Sequence, residues 1–462
     1  MKNQLITSIL LMSIICLSAY AKPQDDFWKA TKQCDLEGVK KAISKGADPK
    51  ALDAYGQTSF SSAIFCPEIT KYFIELGVDP NSDGGNALIS AGSTYSIEVM
   101  KLLLDAGADP NSRSSIFGPL WTDDGKSSAV EIVIRQTNCV PCLEMLKEAG
   151  ADFGYMFQNN KNLVYLLAFW SMTKEQRKSL YTQSKPIMEN FGFKVPDWYG
   201  NLGDDRNGTA EQMLDILIDA GCDINLQSTM NEIKVKRKKA VESDKIWQSY
   251  TPLMEAIGYL EGSSNAKQHM ALLLLKKGAG VSVKTEFFNQ TAITLAASTD
   301  NPQLVKMIID AGANLEDEVT TVDQTLNIYL KGATPLVLAA KYNRLENCKI
   351  LLDAGAKITN GAQGVGTSDK GCFYQIKDKS GLYFAIETGN IELVDLFTDN
   401  FKFWNNNLLQ YIQPDQTTES DWGAYVSVDK TCSKTKGGLR PSMYASELGN
   451  KALAKHLMKK GL

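Results

Sequence analysis

Cys139-Val140-Pro141-Cys142 is the stretch of this 462-residue chain whose spacing speaks most directly of chemistry. Two thiols three positions apart can close a disulfide or exchange with one, and a helix start beside them favours the thiolate. No strand precedes them, as a thioredoxin-like site would require. The pair is therefore read as structural first, with a redox pair as the alternative. The chain has two histidines, His269 and His456. They are too few for a multi-His metal site or for two His-based triads. Gly361-Ala-Gln-Gly-Val-Gly366 is rich in glycine but does not lead from a strand into a helix, so it reads as a turn rather than a phosphate cradle. Lys234-Val-Lys-Arg-Lys-Lys239 either steers an acidic partner or is a solvated tip. Asp105, Asp219, Asp310 and Asp353 recur at one surface position instead of converging. No catalytic group, metal or cofactor is expected. With 49 basic and 53 acidic side chains the net charge is −4, which gives no support to nucleic-acid binding.

The elements that would position these residues follow one repeating sentence. Ile97-Glu-Val-Met-Lys-Leu-Leu-Leu-Asp-Ala-Gly-Ala-Asp-Pro-Asn111 places Val99, Leu102, Leu103 and Ala106 at helical spacing. Gly107 follows the last turn, where a left-handed C-cap needs no Cβ. Asp109-Pro110-Asn111 then turns the chain into a loop. The same ending returns at Gly46, Gly77, Gly150, Gly221, Gly278, Gly312, Gly355 and Gly461, with two weaker copies near Gly192 and Phe401. Each unit opens with a second pattern, best seen in Thr251-Pro252-Leu253 and Thr334-Pro335-Leu336. There Thr is placed to cap a helix and Pro fills its first turn. A repeat of this length decides the architecture.

The Thr-Pro-Leu-x-x-Ala start and the Gly-Ala-Asp-x-Asn end together resemble the ankyrin repeat family, over nearly all of residues 22–462. The His usual in the first helix is absent from every copy. The resemblance implies an all-α solenoid of helix pairs, with loops or β-hairpins projecting as fingers beside a concave groove. It also implies protein binding rather than catalysis. One continuous domain of about nine clear and two degenerate repeats is expected, since each repeat of a solenoid packs on its neighbours alone.

Residues 1–21 read as a signal peptide. Lys2 is followed by the apolar stretch Leu5 to Leu17, too short to span a membrane, and Ala19-Tyr20-Ala21 is a small-residue cleavage site. The product would be periplasmic or secreted, monomeric, and without a transmembrane segment. An oxidising compartment gives the cysteines weight. Cys34 and Cys66 hold nearly equivalent positions in adjacent repeats and are candidates for a bridge. Cys372 and Cys432 both lie in long fingers and are a second candidate pair. Cys222 and Cys348 read as small buried hydrophobes.

Two stretches break the rhythm, 153–208 and 401–439. In the first, Leu163 to Trp170 reads as an apolar helix and Glu175 to Phe191 as a long one. Trp198 and Tyr199 then either form a recognition surface or seal the gap the irregular repeat leaves. Long fingers elsewhere carry Phe117 and Trp121, Trp247 and Tyr250, and Phe373 and Tyr374. Aromatics at such tips either anchor a protein interface or pack on the next finger. The sequence thus points to an exported scaffold that binds another protein through its fingers and groove, as an inhibitor, immunity or envelope-maintenance factor. The alternatives are a secreted effector acting on a host or competitor protein, or an enzyme or redox protein built on the irregular segments or the C-x-x-C pair.

Overall fold

A computed structural model describes residues 22–53, 56–115, 125–137, 139–170, 174–197, 199, 209–229, 231–234, 245–258, 265–286, 288–323, 328–358, 361–367, 373–403, 426–427 and 441–462. The signal-peptide segment 1–21 and the residues Phe117, Trp121, Trp198, Cys372 and Cys432 lie outside them. The chain divides into two compact units at Asp223/Ile224.

The first unit is a stack of helix pairs. Its helices are α1 (residues 22–32) with α2 (Leu36–Ser44), α3 (Ser59–Ser62) with α4 (Pro67–Glu75), α5 (Asn86–Ser93) with α6 (Ile97–Asp105), and α7 (Ala129–Ile132) with α8 (Val140–Glu148). The last pair is α9 (Leu163–Trp170) with α11 (Ala210–Asp219), and between them stands the long helix α10 (Lys174–Asn190). First helices pack on first helices, α3 on α5 and α5 on α7, while α4, α6, α8 and α11 form the second row. The segment ending at Gly192 is therefore not a repeat of its own. Gly192 does take a left-handed φ of +83°, which imitates the repeat ending, but it closes an insertion within a single α9–α11 pair.

The second unit has the same plan. It pairs α12 (Pro252–Ile257) with α13 (Asn265–Lys276), α14 (Ala292–Ala297) with α15 (Pro302–Asp310), and α16 (Pro335–Lys341) with α17 (Leu345–Asp353). The last two pairs are α18 (Gly381–Thr388) with α19 (Ile391–Phe403) and α20 (Pro441–Glu447) with α21 (Lys451–Lys459). The degenerate copy near Phe401 is thus a true helix pair, with α18 packed on α16 and α19 on α17.

Local chemistry explains the elements. Thr251 Oγ1 accepts from Met254 N at 3.3 Å and Thr334 Oγ1 from Val337 N at 3.4 Å, satisfying amides that a helix start leaves without partners. Asn162 does this for α9, accepting from Val164 N at 3.1 Å. The repeat-ending glycines take φ between +68° and +100°, a region costly for a side chain with Cβ. The loops are then joined by a ladder. Asn81 Nδ2 donates to Gly107 O at 2.9 Å and its Oδ1 accepts from Asp109 N at 2.7 Å. Asn111 repeats the pattern with Gly150 O and Asp152 N. In the second unit, Asn225 Oδ1 accepts from Gly280 N at 2.7 Å. Asn81, Asn111 and Asn225, each four residues after its repeat-ending glycine, therefore clamp the next repeat, and Glu316 does the same by accepting from Lys357 N at 2.8 Å.

The fingers are hairpins. β1 (Arg113–Ser114) pairs with β2 (Ser127–Ser128), and β3 (Asn231–Lys234) with β4 (Lys245–Gln248), both antiparallel. Three later fingers merge into one antiparallel sheet of β5 (Val319–Asp323), β6 (Ile328–Ala333), β7 (Gly361–Thr367), β8 (Phe373–Ser380) and β9 (Val426–Ser427), in that order. The Gly361–Gly366 run is thus strand β7 and not a turn. Its register shifts between Ala362 and Gly364, the irregularity that glycine in a strand permits.

Candidate functional site: finger sheet, inner-face strap and cysteines

The finger sheet is held by main-chain pairing between repeats. Tyr329, Leu330 and Lys331 of β6 face Val365, Gly364 and Gln363 of β7. Tyr374 and Gln375 of β8 face Ser427 and Val426 of β9. On the other side, Thr320 N donates to Phe288 O at 2.9 Å, which ties β5 to the preceding loop. Phe373 and Tyr374 open strand β8, an inner strand of the sheet, at the loop end of its hairpin opposite Thr367 and Gly366. Trp247 lies on β4, opposite Glu232.

Tyr250 and Tyr199 are placed differently from free surface aromatics. Tyr250 is 7 % exposed, and its hydroxyl donates to Gln290 Oε1 at 2.9 Å. Its amide donates to Ser228 Oγ at 3.1 Å, which pins the base of the β3–β4 finger. Tyr199 is 4 % exposed. Its ring lies edge-on to Phe65 at 5.5 Å and to Tyr181 at 5.3 Å, and its hydroxyl meets Ser184 Oγ at 3.2 Å. Burial raises its phenol pKa, with the Ser184 hydrogen bond opposing. Both tyrosines are core residues, and neither offers its ring to a partner.

Tyr199 belongs to a strap. Helix α10 and the segment after it return across the first helices of the early repeats. Tyr181 of α10 lies 6.2 Å from Tyr95, and Phe193 lies 6.3 Å from Phe65. Lys194 N donates to Lys32 O at 2.8 Å, and Gln33 Nε2 donates to Gly192 O at 2.7 Å. Within the irregular stretch, α10 and residues 191–197 and 199 are accordingly an inserted cover on the inner-helix face. Among its described residues Leu180, Ile187 and Phe191 are exposed apolar side chains, at 41 %, 55 % and 60 %. The sequence marks this segment only as a long second helix, Glu175 to Phe191.

Cys34 and Cys66 are joined in a disulfide, and so are Cys139 and Cys142. Cys139 and Cys142 are both fully buried, so no dithiol exchange can reach them without local opening. Cys222 Sγ donates to Phe153 O at 3.3 Å. Burial lifts its pKa to about 11, with Asp152 adding to the rise. Cys348 is fully buried, at the place that Met100 and Val305 hold in other repeats, and burial lifts its pKa too. Thiols held protonated in this way are poor nucleophiles.

Next to the β1–β2 finger, Glu131 is buried and ion-paired with Arg113 Nη1 at 2.6 Å. Arg113 also donates to Lys126 O at 2.7 Å and stacks 4.1 Å above the Tyr155 ring. Burial raises the Glu131 pKa, against the opposing pull of Arg113 and Ser128. His269 is exposed, while His456 is half-buried and shares Asp395 Oδ1 at 2.6 Å with Lys460 at 2.5 Å. Burial pushes the Asp395 pKa upward, but the Lys460 and His456 hydrogen bonds outweigh it and hold the carboxyl below its usual range. This cluster fastens α21 to α19. No group of three or more His, Cys, Asp or Glu stands ready for a metal among the described residues, and no described helix is long and apolar enough to cross a membrane.

A family model for ankyrin repeats matches the chain in three copies, over residues 27–114 and 253–362. No curated protein matches it. Those residues therefore carry ankyrin repeats, and the chain folds as an all-α repeat solenoid. Repeats of this kind are generally protein–protein interaction scaffolds and typically non-enzymatic.

Proposed function

We propose that this ankyrin-repeat chain is an exported scaffold that holds a protein partner on the finger sheet formed by strands β5 to β9. The observation that carries the reading is that sheet. Five strands from successive fingers pair outside the helix rows, and the helix pairs would stack without them. A sheet fixed by cross-repeat pairing is rigid before it meets a partner, so little ordering entropy is lost on binding. In the first unit the strap already covers part of the inner-helix face, which moves the burden of recognition to the fingers. The leader-like residues 1–21 support export to a periplasm or beyond, with Lys22 as the first mature residue. The role proposed is holding a toxin or an envelope enzyme inactive in that compartment.

The test is affinity capture with the tagged mature chain from its own envelope or culture-fluid fraction, followed by mass spectrometry. A second bait has residues 359–379 replaced by a short turn. One saturable partner that the second bait loses, with unchanged thermal unfolding of the helices, supports the scaffold. A partner retained by both baits removes the sheet from the reading. An effector reading gains if that partner belongs to another organism. N-terminal sequencing of the same material tests export, since a chain that still begins at Met1 overturns it.

A further inference from the structure

Between the strap and the inner helices of the first unit lies a half-open cleft of about 540 Å³. This is the size range of small-molecule sites. Its two walls are chemically unlike. The floor carries the short hydroxyl side chains Ser61, Ser90, Ser93 and Thr94, with Gln57 and the apolar Ile64 beside them. In the second unit, inner helices α12, α14 and α16 carry one hydroxyl residue among them, Thr294. The roof is largely apolar, with Leu180, Met188, Phe191 and Phe193 of the strap, and its Ser184 and Tyr199 hydroxyls are paired with each other. Walls that touched only each other would be matched in size and polarity. Here mostly small side chains face mostly large apolar ones and a gap is left between them. Leu180 and Phe191 stay 41 % and 60 % exposed at its mouth, apolar area that a ligand would cover.

One cation completes the cleft. Lys32 lines it, with its ammonium 5.2 Å from the centre of the Phe193 ring. Among the described residues no carboxylate lies within ion-pair distance of Lys32. The floor hydroxyls do not compete for an anion's place. Ser93 and Thr94 each donate to Ser90 O at 2.8 Å. Ser61 donates to Asp83 Oδ2 at 2.9 Å, which also keeps that carboxylate engaged beneath the floor.

We propose that the cleft is a binding site for a small amphiphilic anion, with its apolar body under the strap and its carboxylate on Lys32. The site is separate from the finger sheet and does not depend on the partner read there. Sodium decanoate, titrated below its micelle concentration into the mature full chain by calorimetry, is the direct probe. One saturable site is expected. Lys32→Gln, a change at a half-exposed side chain, should weaken it at least tenfold. Leu180→Glu, which sets a negative charge at the mouth, should weaken it as much. Ser93→Phe should fill the floor and abolish binding, and circular dichroism checks that this variant folds. Decyltrimethylammonium, with the same chain and the opposite charge, should not bind. Absence of saturable decanoate binding overturns the proposal. So does binding unchanged by Lys32→Gln and Leu180→Glu, or equal binding of the cationic twin.

Discussion

Asn111 reaches across to the following repeat and holds Asp152. Its Oδ1 accepts from the Asp152 amide at 2.6 Å, while its Nδ2 donates to Gly150 O at 3.2 Å. One side chain thus satisfies a donor and an acceptor at the left-handed turn that ends the neighbouring helix. Each such bond contributes about 1 kcal/mol net. Asn111→Ala should therefore cost roughly 1–2 kcal/mol of local stability. Hydrogen exchange at the Asp152 amide should quicken about tenfold. Unchanged exchange there would show that the ladder does not couple the repeats.

Gly381 opens α18 where α12, α16 and α20 have proline, and there is no room beside it. A Cβ on Gly381 would lie 2.5 Å from Phe397 Cε1 and 2.6 Å from Cζ. Phe397 is fully buried on α19, so the ring cannot swing away. Gly381→Ala should destabilise the second unit by about 1–3 kcal/mol through overpacking. Adding Phe397→Leu should recover part of the loss, because the two changes share one contact. Calorimetry on the single and double variants reads both effects. A neutral Gly381→Ala would mean that the α18–α19 pair is looser than this contact implies.

The contrast between Asn111 and Gly361 shows what the sequence made readable. Helix pairs, caps and glycine endings depend on residues a few positions apart, so Thr251, Thr334 and Gly107 announce them. The buried stripe of α6 is nearly as legible. It is Val99, Met100 and Leu103, with Leu102 half-buried. The finger sheet depends on pairing such as Leu330 with Gly364, which no local pattern records. A glycine run therefore reads as a turn when it is a strand. Helix α10 misleads in the opposite way, because Gly192 supplies a genuine C-cap and hides an insertion. Tyr199 and Tyr250 look like surface anchors, since an aromatic ring with a polar tip suits an interface and a core alike. Only Ser184 and Gln290, brought up by the fold, show that the tips are satisfied inside.

The Cys34–Cys66 bridge closes a sequence separation of 32 residues between α1 and α4. On the chain-entropy account, a link of this span contributes about 3–4 kcal/mol. The Cys139–Cys142 bridge spans a separation of 3 and should contribute less. Non-reducing peptide mapping of exported protein should recover both pairs, and it tests Cys372 with Cys432 in the same run. Cys34→Ser with Cys66→Ser should lower the unfolding temperature of the first unit more than Cys139→Ser with Cys142→Ser. Free Cys34 and Cys66 in exported material would remove the staple and weaken the oxidising-compartment reading with it.

Glu131 ties stability to pH. Burial is the largest influence and raises its pKa above the ordinary 4.5, although Arg113 and Ser128 pull the other way. The folded chain therefore holds this proton more tightly than the unfolded chain. The stability it adds is fully present below the ordinary glutamate range and is lost as pH rises through the elevated folded pKa. Arg135, half-buried, feels the Glu131 charge as well. Glu131→Gln keeps the shape and removes the ionisation. Arg113 is not stranded by the change, since Lys126 O and the Tyr155 ring still hold it. The variant should match the wild type in thermal unfolding at pH 4 and exceed it at pH 8, with the difference growing between. A variant less stable than the wild type at pH 8 would mean that the Arg113 pair outweighs the burial of the charge, and would reverse the direction assigned to Glu131.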